Sequence, residues 1–274
     1  MLRPNRKFFL NADDVGISNG VNRAVISAIT NGALRSISVM TNLTHSIDAI
    51  NIAQTHPEIK TGLHLNIMIG HSINDAEDVP YLTDTFGKFR GGFIRLFLLS
   101  IFHKKELQSQ IEIETIAQLD KLRDKGIVVN HIDSHRHIHM IPAIFSVMKK
   151  IAEENNIPRI RFINESFLNT FSHNSSMSYL YNGGLIKFML LKFLSLFIDY
   201  PTKTYFYSVL FTGKISKARV RGLRIPSKYT EAEIMIHPNM IEVDKNTGVI
   251  DKNVLSRNRK MEYETAMDKS LINV

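Results

Sequence analysis

Between Asn130 and His139 the chain carries four histidines and an aspartate: His131, Asp133, His135, His137 and His139. They follow Ile127-Val128-Val129, a β-branched run entered from Gly126 that reads as a buried strand. Side chains alternate along a strand, so all five would share one side if the extension continued that far. Neutral imidazole is the commonest metal ligand, and ligands collect at the carboxyl ends of parallel strands. A single buried histidine is ordinarily a hydrogen-bonded core residue, but that reading does not explain a whole face of such groups.

Other strand ends carry similar groups. Phe8-Phe9-Leu10-Asn11-Ala12 delivers Asp13-Asp14, two carboxylates that repel unless a cation or a proton sits between them. An Asx turn capping the next helix is the plainer alternative for that pair. His64 lies between Leu63 and Leu65 in a third apolar run, and His237-Pro238 closes Glu233-Ile234-Met235-Ile236. Two histidines and one carboxylate, with positions left for water, suit a catalytic divalent metal. Such an ion acidifies its water and polarises a carbonyl. A spare aspartate can take the water's proton, and a separate histidine can protonate the leaving group. These parts suit hydrolysis of an amide or ester without a covalent intermediate.

The elements that must position these groups alternate. Helices are expected over Asn19–Asn31, about Ser46–Thr55, Leu107–Lys125 and Pro142–Asn156, with strands at 36–40, 59–66, 127–129, 157–162 and 233–236. Arg159 and Arg161 fall on one side of the strand at 157–162. Repeated strand-helix alternation predicts an α/β fold, a parallel sheet or a β/α barrel. Residues 70–89 read as a long polar loop of the kind that builds a substrate mouth. From Met177 to Phe211 the pattern changes, and Leu185–Ile198 reads as an apolar helix interrupted by Lys187 and Lys192. Packing on the domain or a partner is the favoured reading there; contact with a membrane surface is the alternative. The tail around Arg257, Arg259, Glu262 and Glu264 should be a charged helix.

With 274 residues and no linker of Gly, Ser and Pro, the chain is expected to form one domain over 1–274 with insertions, the apolar one around 177–211. It contains no cysteine, which excludes disulfides, thiolate metal sites and cysteine nucleophiles. The amino-terminal stretch lacks an apolar segment of signal-peptide length, so a cytoplasmic protein is expected. The formal net charge of +8 is scattered and not interleaved with aromatics, which argues against a nucleic-acid partner. No Gly-x-Ser-x-Gly elbow or phosphate-cradling glycine loop is present.

Four motifs in this order resemble the YdjC-like carbohydrate deacetylases, which include the chitooligosaccharide deacetylases. They are Asn11-Ala12-Asp13-Asp14-Val15-Gly16, Gly62-Leu63-His64-Leu65-Asn66, the run His131 to Met140, and Ile234-Met235-Ile236-His237-Pro238, spread over residues 7–240. The resemblance implies a distorted β/α barrel with parallel strands, a homodimer, and removal of an acetyl group from an N-acetylated sugar or oligosaccharide. It also implies one divalent ion, with magnesium, zinc, manganese and cobalt all admitted by the ligand types. Carried over by position, Asp14, His64 and His135 are the metal ligands, Asp13 the general base and His237 the general acid. His139 and Arg161 become substrate-side residues or supports behind the ligands. The chain departs from the pattern at Val15, where the family has an aromatic, and in the apolar stretch 184–211. The alternatives are a metal-dependent phosphoesterase or amidohydrolase, or a non-catalytic sugar-binding or membrane-associated protein. The intact Asp13-Asp14 pair argues against the last of these.

Overall fold

In a computed structural model, residues 7–173, 183–245 and 247–272 are described, and the elements below are those found among them. Residues 177–182 of the expected insertion, and the start of the chain before Lys7, lie outside the described residues. The first half runs β1 (Lys7–Val15), α1 (Asn19–Asn31), β2 (Leu34–Val39), α2 (Ser46–Thr55), β3 (Lys60–Leu65), α3 (Phe93–Phe102), α4 (Lys104–Arg123) and β4 (Val129–Ser134). After a 3-10 turn at His135–Met140 come α5 (Pro142–Glu154), α6 (Phe167–His173), α7 (Gly184–Ser195), β5 (Thr204–Tyr207) and α8 (Lys217–Arg221). β6 (Glu231–Ile236), α9 (Ile241–Asp244), a 3-10 turn at Lys252–Leu255, α10 (Arg257–Ala266) and a last 3-10 turn at Lys269–Leu271 complete the order.

The strands form one parallel sheet in the order β4-β3-β2-β1-β6-β5, curled into a distorted half-barrel with helices around it. Residues 157–162 do not form the full strand expected of them. Pairing to β4 is confined to Ile132, whose N–H donates to Arg159 O (2.9 Å) and whose carbonyl accepts from Arg161 N (3.0 Å). On the other side, Ile160 N–H goes to the Tyr200 hydroxyl at 2.9 Å rather than to a strand. A single side chain, Asn164, bridges to β5: its amide donates to Thr204 O (2.9 Å) and accepts from Phe206 N (2.8 Å). Side chains thus substitute for a ladder where the barrel closes.

The apolar halves of the strands face the helices. Leu10, Ala12, Ile37, Val39, Leu63, Leu65, Ile132, Ile234 and Ile236 are all buried there, against the inner faces of helices such as α1 (Val21, Ala24, Val25, Ala28) and α5 (Ile144, Met148, Ile151). Alternate positions turn the other way, and they are polar: Asn11, Asp13, Ser38, His64, His131, Asp133, Arg161 and Glu233. Most barrels fill their interior with aliphatic layers. This one fills it with a hydrogen-bonded ionic network. The loop 70–89 is ordered, held by Glu114 of α4, which accepts from Ile73 N (3.1 Å) and Asn74 N (3.2 Å). On α7, Phe188, Leu191 and Leu194 pack inward, whereas Ile186, Met189, Phe193, Leu196 and Phe197 are exposed on or just past it. No helix among the described residues is long and apolar enough to cross a membrane.

Candidate metal centre

Adjacent strand residues normally point to opposite faces, so Asp13 and Asp14 could not both serve one site from a regular strand. A β-bulge removes the difficulty. The register passes from Ala12↔Ile37 to Val15↔Val39, three steps on β1 against two on β2, and Asp14 takes a left-handed φ of 62°. A non-glycine residue there costs about 1–3 kcal/mol, a price paid at functional sites. Both carboxylates end up buried. The following turn also requires Gly16 (φ 103°), where a Cβ would press on Met40 O at 2.6 Å.

Asp14 Oδ1 lies 3.3 Å from His64 Nε2 and 2.9 Å from His135 Nδ1, and ligand atoms of the three residues all fall within 4.8 Å of one another. One oxygen and two imidazole nitrogens converging in a buried pocket are the donor set of a catalytic divalent ion, so these residues fit a metal. Burial alone would raise the Asp14 carboxyl, but His135 and Arg259 beside it hold it well below the usual range. Burial lowers His135, which favours the neutral ring that a metal needs. His64 is turned by Asp133, whose Oδ1 is 2.5 Å from Nδ1. Gly62, opposite His131 in the register, must lack a Cβ because one would strike the His131 ring. A second grouping, Asp13, His64 and Asp133, also clusters. Its charge is already met by the Arg161 guanidinium, so the first grouping is the better metal site.

Arg161, expected on the substrate side or as a support behind the ligands, has its side chain inside the barrel and fully buried. Nη1 and Nη2 take the two oxygens of Asp13 at 2.6 and 2.7 Å, Nη2 also lies 2.7 Å from Asp133 Oδ2, and Nε donates to Glu233 at 2.8 Å. Arg159 pairs with the same Glu233 from the rim. Asn11 donates to Asp13 Oδ1 (2.8 Å), and Ser38 donates to Asp133 Oδ2 (2.7 Å). A bidentate guanidinium fixes a carboxylate in plane as well as in charge.

β4 ends at Ser134, so the extended alternation stops after Asp133 and the later histidines follow a different path. Arg136 and His137 both take left-handed φ values, 56° and 55°, inside the 3-10 turn. His139 folds back on Ser134, whose hydroxyl is 2.6 Å from its Nδ1 and accepts its backbone N–H at 2.9 Å. It closes the turn and is not part of the ligand cluster. Ala12 pairs with Ile236, which sets His237 beside Asp13 at the next strand end. Glu262 accepts the His237 backbone N–H at 2.7 Å and lies 3.6 Å from its Nδ1. Three residues earlier on α10, Arg259 donates to Asp14 Oδ2 at 2.6 Å. Neither α10 residue was assigned a role from sequence; their spacing, one turn apart in a charged helix, was the available signal. Asn11 and Ser38, polar at alternate positions in apolar runs, were the signal for the interior network.

Residues 7–274 match the family described as YdjC-like protein. Carbohydrate deacetylases of Brevibacillus brevis, Halalkalibacterium halodurans and Geobacillus stearothermophilus are 37%, 32% and 34% identical to the chain over 152, 152 and 155 residues. Those matches cover 56% of this chain and 58%, 62% and 58% of the three proteins, so the chain spans under two thirds of their length. The crystal structure of an Enterococcus faecalis V583 protein named for cellobiose-phosphate cleavage aligns with a TM-score of 0.65 at 22% identity, covering 97% of this chain and 92% of that one. At that identity the likeness is one of fold.

Proposed function

This chain belongs to the YdjC-like protein family, and from that premise we propose that it is a metal-dependent hydrolase removing an acetyl group from an N-acetylated sugar or oligosaccharide. The observation that carries the reading is the convergence of Asp14, His64 and His135 on one buried point beside a separate carboxylate, Asp13. The names of the matching relatives supply the substrate class.

In this reading Asp14, His64 and His135 hold one divalent ion, for which magnesium, zinc, manganese and cobalt all suit the donors. The ion supplies an acidified water and polarisation of the acyl carbonyl. Asp13, held in plane by Arg161, takes the proton lost as water attacks the acyl carbon. His237 gives a proton to the sugar nitrogen as the C–N bond breaks, so that acetic acid and a neutral amine depart, the acid ionising to acetate in water. Glu262 sets the His237 backbone from behind. His139 and Arg161 act as supports for the turn and the base rather than as substrate contacts.

The working form we propose is a homodimer. Supporting it are the exposed apolar side chains of α3 (Ile94, Ile101, Phe102) and of α7 (Ile186, Met189, Phe193), with no acidic residue on either helix. The test of the activity is acetate release from a panel of acetylated sugars after metal reconstitution, run beside phosphate release from sugar phosphates. Acetate release supports the deacetylase. Phosphate release without acetate transfers the site to a phosphoesterase, and neither product from any substrate rejects both.

A further inference from the structure

Arg259 stands out among the buried cations because its fork is only half used. Its side chain is 9% exposed, and Nη2 donates to Asp14 Oδ2 at 2.6 Å. Nη1 is buried and has no hydrogen-bond partner among the described residues. Arg161, by contrast, places both terminal amines and Nε on carboxylates. A buried charged donor without a partner is costly and uncommon, and such a group asks for an explanation. The residue is not there by local accident. It arrives from α10, 245 positions along the chain from Asp14. Its helix is tied to the loop after β6 by the Asn239 N–H to Arg259 O bond of 3.3 Å.

The pairing has a consequence for Asp14. Arg259 occupies Oδ2, which leaves Oδ1 as the oxygen turned toward His64 and His135. The two amines of a guanidinium are rigidly adjacent, so the bond from Nη2 keeps Nη1 within about 5 Å of the same Asp14 oxygen. A planar, permanently charged donor at that position matches an acyl oxygen that gains negative charge, or a carboxylate product.

We propose that Arg259 is a further residue of the reaction site, fixing Asp14 through Nη2 and donating through Nη1 to the substrate's acyl oxygen and then to the product acetate. The proposal rests on the deacetylase reading for its substrate, and its test does not depend on turnover alone. Arg259→Lys keeps one charge able to reach Asp14 but cannot serve two acceptors in a plane; Arg259→Met removes both donations. Zinc affinity, and acetate affinity of the zinc-loaded full chain, are measured by calorimetry for wild type and both variants, together with melting temperature and kinetics on an N-acetyl sugar.

The expected result is zinc affinity in Arg259→Lys within about 3-fold of wild type. Acetate affinity should be weaker by at least about 10-fold, and kcat lower by about 10²-fold with KM little changed, the scale of losing one oxyanion donor. Arg259→Met should add a loss of zinc affinity. Wild-type acetate affinity and kcat in Arg259→Lys overturn the proposal, as does absence of acetate binding to the zinc-loaded wild type. So does a loss of acetate binding that merely tracks a lowered melting temperature in both variants. If the wild type releases acetate from no sugar yet binds acetate through Arg259, the deacetylase reading falls and the anion contact stands.

Discussion

His64 Nδ1 meets Asp133 Oδ1 at 2.5 Å across the β3–β4 pair, and that contact points Nε2 at Asp14 Oδ1. Burial works against a charge on this ring, yet Asp133 and Asp13 push His64 up to about 10, so a metal binding at Nε2 must displace a proton. A carboxylate behind a ligating histidine fixes its tautomer and raises its basicity. The expected stoichiometry is one divalent ion per chain, with activity lost in chelator. Asp133→Asn should weaken metal affinity by roughly 10–100-fold, while His64→Ala and His135→Ala abolish tight binding. Elemental analysis showing full occupancy in either alanine variant would remove the site.

Asp13 is the proposed proton acceptor. Asp13→Asn keeps its shape and its acceptor toward Asn11, and Arg161 retains Asp133 and Glu233. Metal binding should therefore survive while kcat falls by at least ~10²-fold. Turnover near wild type would assign the proton to another group.

The order of strands and helices, and the polar groups near strand ends, are legible because apolar runs of strand length stop at Asp13 and at His237, and His64 interrupts another. What local pattern could not show was orientation. Only the bulge at Asp13-Asp14 brings two consecutive carboxylates to one side, and a bulge depends on pairing with β2. The break after Ser134 is equally hidden, since the left-handed φ values of Arg136 and His137 are not ones that these residue types favour. The short β5 lies past Asp199 and Pro201 in the stretch where the pattern changes, and four residues are too few to show a strand period. Arg259 and Glu262 lie in a tail whose composition says only that it is charged, and their roles emerge from contacts far along the chain.

The two faces of α7 should respond differently to charge. Leu194 is buried (1% exposed), so Leu194→Asp should destabilise the fold by several kcal/mol through an unpaired buried charge. Ile186 is 77% exposed, so Ile186→Asp should leave the melting temperature nearly unchanged and shift sedimentation from dimer to monomer. Co-sedimentation of wild type with anionic vesicles, released by salt, would instead give this face to a membrane.

His237 is a side chain whose role depends on the leaving group. An amine leaves poorly unless it is protonated, whereas the phenolate of an aryl acetate needs little help. His237→Ala should lose much more activity on an N-acetyl sugar than on an aryl acetate, and the high-pH limb of its rate profile should weaken. Equal losses on both substrates, with a lower melting temperature, would make it a structural anchor for the turn into Pro238.

Glu165 should leave a signature in stability rather than in turnover. Burial pushes its carboxyl up to about 7, although Thr170 and the N–H groups of Val209 and Leu210 donate to it. Unfolded, it returns to about 4.5, so between those values the folded chain holds the extra proton. Its contribution is complete below about pH 4.5 and is lost as pH rises through about 7, on the order of 3 kcal/mol. Glutamine is uncharged at every pH, and its oxygen can still accept the two backbone donors. The gain in unfolding free energy of Glu165→Gln over wild type should therefore grow from pH 5 to pH 8, as measured by urea denaturation. Parallel stability curves for the two proteins across that range would show that the carboxyl titrates normally in the fold.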